Sequence, residues 1–261
     1  METPNEQPKE TAPAKSAIYE LITQEQIDTN VARLQSEFGI NLDGVTIHST
    51  KPGDDLFDQY EIQHKLLQKC DSDFQKLLAK IKEYGYNPDE VSIDDLRDIA
   101  TREEIILEGS LPGFAMTAGD DEIIFFAVKG LNAVEMAKNY AEKEGEPQLA
   151  FGNTEEAVGY LRGLANSAFF HEVGHIVYSR RDFSDWNTYI ATKPEIRQQV
   201  VRLQEDKYGD IDQIPIAEEA FADFAVEVLS NGQIASRLGK NEEASSKLKK
   251  EIKTQRGVAL S

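Results

Sequence analysis

Apolar residues after Thr23 recur at helical intervals. Ile27, Val31, Leu34 and Phe38 stand four, three and four apart, the spacing that lines one face of a 3.6-residue helix. Thr23 followed by Gln26 has the reciprocal pattern of a capping box, so a first helix is predicted to about Phe38. A different pattern follows. GVTIHST, residues 44–50, is short and β-branched between Gly44 and Pro52, which predicts a strand with His48 as one of its residues and not a ligand. From Asp55 to Tyr84 Leu, Lys and Gln dominate without an internal Pro or Gly. One long helix or two abutting helices should end there before Gly85, with His64 and Cys70 inside.

Ser92 followed by Asp95 has the form of another helix start. IILEGSLPGFAMTAGDDEIIFFAV, residues 105–128, predicts two or three strands, with Gly113, Gly119, Asp120 and Asp121 at the turns and IIFFAV as a core strand. Asn132 with Glu135 predicts the opening of a helix of about ten residues. Asn153 with Glu156 opens a longer one that runs without proline to about Ser179. IPIAEEAFADFAVEVLSNG, residues 214–232, reads as a further helix, Pro215 suiting its first turn and Gly232 lying past its end. KNEEASSKLKKEIKTQR, residues 240–256, reads as a solvated terminal helix.

Together these elements predict an α+β fold, a small twisted sheet packed on the 153–179 helix and on a second, glutamate-bearing helix. Residues 1–16, with Pro4, Pro8 and Pro13 among polar neighbours, are expected to be a disordered tail. A mainly helical region should follow over 17–100 and the remaining domain over 101–261.

Charge narrows the partners. Asp and Glu number 47 against 28 Lys and Arg, a net charge of −19 that repels nucleic acid phosphates and anionic membranes. Cys70 is the only cysteine, so no intrachain disulfide can form and a reducing compartment is compatible. Residues 1–16 lack the apolar core of a signal peptide and no run approaches transmembrane length, which leads to the expectation of a cytoplasmic protein, with non-classical export open.

The candidate chemistry is HEVGH, His171 to His175, on the helix that Asn153 opens. Residues four apart sit about 40° apart around a helix and one turn along it, so His171 and His175 share a face and can share one metal ion. Zinc suits imidazole, and a catalytic zinc takes three protein ligands and leaves a position for water. Glu172 projects about 100° away from His171, beside a metal held there, in the position of a general base. Gly174, lacking a side chain, lets a neighbouring backbone come close to this helix. The third ligand is expected downstream, where Glu218 and Glu219 are adjacent and Asp223 lies four residues after Glu219. Either glutamate could complete a His-His-Glu set, and Asp223 could accept the free ring N–H of a histidine.

HEVGH followed, 44 residues after its second histidine, by EAFAD resembles the gluzincin clan of zinc metallopeptidases. The resemblance rests on two short segments, in an order of elements spanning about residues 105–230. It implies that His171, His175 and Glu219 hold zinc, that Glu172 is the general base, that Asp223 orients a histidine, and that the substrate is a peptide or protein. Helical periodicity points the other way on one residue. Glu218 falls among Ala222, Ala225 and Leu229, whereas Glu219 lies with Asp223 and Glu227 on the more polar side, so the wheel alone would bury Glu218. The strand region before the metal helix would, by the same resemblance, offer an edge for a peptide. Two other function classes compete: a zinc-binding regulator or scaffold that hydrolyses nothing, and a helical interaction protein in which HEVGH is accidental.

Overall fold

The computed structural model describes residues 17–54, 79–86, 99, 115–117, 122–143, 145–208 and 211–254, the side chains of 115–117 and 206–208 excepted. The expected tail at 1–16, most of the 55–84 helix, the helix start at Ser92 and the boundary near residue 100 lie outside these residues.

The elements are β1 (Ile18–Tyr19), α1 (Gln24–Phe38), β2 (Thr46–Thr50), β3 (Ala115–Thr117), β4 (Glu122–Phe126), β5 (Val128–Lys129), α2 (Gly130–Lys143), α3 (Thr154–Ser179), α4 (Ser184–Ala191), α5 (Pro194–Tyr208), a 3-10 turn (Ile211–Gln213), α6 (Ile216–Leu229) and α7 (Glu242–Thr254). The class is α+β, mostly helical with two small sheets, one ordered β2–β4–β3 and the other pairing β1 with β5. β4 is the middle strand of its sheet, paired on both sides, and Ile123 to Phe126 are all buried. By contact the chain divides into two compact units, residues 1–21, 49–116 and 125–161 in one and 22–48, 117–124 and 162–261 in the other.

In the first unit, β1 runs antiparallel to β5 with Ile18 opposite Lys129 and Tyr19 opposite Val128. α2 starts directly off β5 at Gly130, two residues before the expected cap, so Asn132 lies within its first turn. The pairing that ends in Gly130 N–H donating to Ala17 C=O sets this start, overriding the local Asn132–Glu135 signal. Ala133, Ala137 and Ala141, four apart, form its buried stripe. The start of α3 also lies here. Glu156 N–H donates to Asn153 Oδ1 at 2.9 Å, while the Glu156 carboxylate accepts from the Gly152 N–H at 2.7 Å, one residue before the partner a standard capping box uses.

In the second unit, Thr23 and Gln26 make the reciprocal capping box of α1, and Gly39 ends that helix at φ 64°, a left-handed conformation that glycine adopts without strain. β2 carries His48, whose Nε2 lies 3.5 Å from Glu122 Oε1 in a half-exposed pair. The core of the unit gathers on α6, of which Ala220 to Val226 are all buried. Trp186 of α4 donates its indole N–H to Ala217 C=O at 2.8 Å and meets Phe221 and Phe224 edge-on, fixing the first turn of α6. α6 ends in a Schellman turn: Gly232 N–H donates to Glu227 C=O at 2.8 Å and Asn231 N–H to Val228 C=O at 3.2 Å, with Asn231 at φ 55°. α7 is not simply solvated. It packs on α6 and buries Ala244, Leu248 and Ile252 at four-residue intervals. No helix among the described residues is long and apolar enough to cross a membrane.

Candidate metal centre

α3 and α6 touch where neither has bulk. A Cβ built on Gly174 would stand 2.8 Å from Ala222 Cα and 3.0 Å from Ala225 Cβ, so only glycine permits this approach. One turn of α3 on either side of that contact is enough to carry His171 and His175 over the first turns of α6. The two rings cross at 78°, and their Nε2 atoms lie 3.1 Å apart. Glu219 Oε2 lies 3.7 Å from His171 Nε2 and 3.8 Å from His175 Nε2.

The far sides of both rings face carboxylates. His175 Nδ1–H donates to Glu218 Oε1 at 2.9 Å. His171 Nδ1 lies 3.3 Å from Asp223 Oδ1, a misaligned contact that leaves it without a well-formed hydrogen bond. A carboxylate cannot donate, so Glu218 selects the Nδ1–H tautomer of His175, and the Asp223 charge beside His171 Nδ1 favours the same tautomer there. Both Nε2 lone pairs then point, with the Glu219 carboxylate, at one place. Three electron-rich atoms this close repel unless a proton or a metal cation lies among them.

A metal fits the spacing. Three atoms separated by 3.1, 3.7 and 3.8 Å lie on a circle of radius about 2.1 Å, the length of a zinc bond to imidazole nitrogen or carboxylate oxygen. His171, His175 and Glu219 thus form a group that could hold a metal ion, half-buried at the histidines and buried at the glutamate.

The surrounding charges act consistently on the metal-free protein. Burial pulls the His175 pKa down, but the Glu218 hydrogen bond and the charges of Glu219 and Glu172 outweigh it and raise it above 6.5. Burial pushes Asp223 up, yet His171 and Arg237 hold its carboxyl below the usual range. Arg237, in the loop after the Schellman turn, places Nε 3.1 Å from Asp223 Oδ1.

Of the residues read from the sequence, His171, His175 and Glu219 come together and Asp223 stands behind His171. Glu172 is half-buried, close enough for its charge to act on His175. Glu218 is on the other side of His175, one-third exposed, away from the convergence point. Its role as partner of His175 was not foreseen, nor were Arg237 and Gln204, whose side-chain N–H donates to Glu219 Oε2 at 2.6 Å. Arg237 carries no signal in the sequence. Gln204 carries one, since it continues the stripe of Ile196 and Val200 at the next four-residue step. Tyr178 donates to Asn187 Oδ1 at 2.7 Å and stacks on Phe183, while Tyr189 lies under the ammonium groups of Lys193 and Lys247.

No protein-family model matches this chain, and no curated protein or solved structure does either.

Proposed function

We propose that the protein is a zinc-dependent metallopeptidase of gluzincin type, hydrolysing peptide bonds. The observation that carries this is the convergence of His171 Nε2, His175 Nε2 and Glu219 Oε2 on one point, with hydrogen-bond acceptors behind both rings. A two-histidine, one-carboxylate set suits zinc and leaves a coordination position open, and zinc bound there would acidify a water molecule and polarise a carbonyl. Glu218 and Asp223 hold the imidazoles in the tautomer that presents Nε2. Glu172, next to His171 on α3, accepts the proton released by the attacking water at its carboxylate and returns it to the departing amine. With that chemistry goes the gluzincin architecture, the small sheet packed on the metal helix.

The test is a broad peptide library with zinc-loaded wild type beside Glu172→Gln. Wild type should cleave, and Glu172→Gln should lose about 10²–10⁴-fold in turnover while keeping its zinc. Full activity in a zinc-loaded Glu172→Gln protein would sink the mechanism.

A second reading, a zinc-binding regulator or scaffold, draws on the tyrosines. Tyr178 gives its hydroxyl proton to Asn187 and so does not offer it to a developing oxyanion, while two lysines lie over the ring of Tyr189. Zinc-dependent cleavage by wild type excludes this reading.

A further inference from the structure

α5 turns a polar residue inward where an apolar one was at hand. Ile196, Val200 and Gln204 form its buried stripe, and Gln204 is 4% exposed, whereas Leu203, the neighbouring residue, is 36% exposed. A rotation of one residue would bury the leucine and expose the amide. Burying a primary amide is costly when it lacks partners, so its place in the stripe calls for a compensating bond. The compensation is the 2.6 Å hydrogen bond to Glu219 Oε2, the oxygen that also faces both histidine Nε2 atoms.

The geometry points to Gln204 as a positioning and metal-selectivity residue, which holds Glu219 so that the carboxylate presents a single oxygen to the cation. The inference rests on the metal-centre reading. Its logic lies in the donor being neutral. A carboxylate oxygen has two lone pairs, so accepting from the amide fixes which oxygen faces the histidines and leaves one lone pair for the metal. A lysine or arginine at this place would hold the carboxylate as well but would repel the metal. Asp223, one layer further out, does take a cation, Arg237. One-oxygen binding keeps the coordination number low. That favours zinc, which accepts four ligands, over manganese, which prefers six oxygen-rich ones.

The test is chelator competition on the untagged full chain, wild type and Gln204→Met, for zinc and for manganese separately. Methionine keeps the length and removes the donor. Zinc affinity should fall about 10–100-fold and manganese affinity by less, so that the preference for zinc narrows. Unchanged zinc affinity, or an equal loss for both metals, would overturn the inference. A wild-type chain that binds zinc in neither state of purity nor on addition overturns the metal centre itself, a distinct outcome. Should Gln204→Met fail to fold, zinc X-ray absorption on wild type decides. A one-oxygen carboxylate is expected, and two-oxygen binding by Glu219 overturns the proposal.

Discussion

The two helices of the candidate centre bring opposite chemistry to it. α3 contributes two imidazoles that are 12% and 19% exposed, and its inward face is apolar at Phe169, Val173 and Ile176. α6 has almost no solvent face, yet carries Glu219 at 0% and Asp223 at 1% exposure. Buried carboxylates on that scale are tolerable only with partners, and each has them: histidines and Gln204 at Glu219, His171 and Arg237 at Asp223. An exposed pair such as Lys193 with Glu243 at 2.8 Å can form or break at little consequence, but the α6 acids are committed.

The comparison can be broken most severely at the two adjacent glutamates. Glu219→Ala should abolish stoichiometric zinc binding, whereas Glu218→Ala, which removes only the partner of His175 Nδ1, should weaken it about 10–100-fold. Metal analysis and chelator competition distinguish them, and the reverse order would exchange the roles assigned to the two residues.

Acid should act next. In the metal-free protein the His175 pKa is raised above 6.5, so the charged ring stabilises the fold fully below 6.5 and that contribution is lost as pH rises through the raised value. Metal requires the neutral ring, so the sign for binding is opposite. Below the raised pKa, apparent zinc affinity should fall about tenfold per pH unit from this group. Chelator competition measured across that window reads the slope. A flat profile would mean that His175 is not a ligand.

Gly174→Ala sharpens the comparison at the helix contact itself. With Ala222 backbone 2.8 Å from the new Cβ, α3 and α6 must shift, costing about 1–3 kcal/mol in denaturant unfolding and displacing the histidines from Glu219. Unchanged stability would deny the close approach. The smallest effect is expected at the N-terminal end of α3, where Asn153→Ala removes the cap and should cost about 1 kcal/mol with zinc affinity unaltered.

What could be read in the sequence followed local rules. The Thr23–Gln26 box, the close approach at Gly174 and the shared face of His171 and His175 each depend on residues within one or two turns, or on the absence of a side chain. The misreadings have tertiary causes. A helical wheel alone would bury Glu218, since it assumes a wet face and a dry one; α6 is nearly dry all round, and its polar stripe of Glu219 and Asp223 is the one turned to the histidines, as the EAFAD resemblance implied. Asn132 lost its expected cap because strand pairing at Gly130 launches α2 earlier. α7 looked solvated because its three buried residues are few among lysines and glutamates, though they fall on one face. Gln204 stood in an apolar stripe and was legible in principle; Arg237 reaches Asp223 from a loop set by the Schellman turn, which no local pattern encodes.

The central claim is that His171, His175 and Glu219 form one metal site, and metal analysis of the chain purified without a histidine tag tests it most directly. The account predicts one zinc per chain, lost in Glu219→Ala. A well-folded wild-type protein that carries no metal and takes up none from added zinc would contradict it.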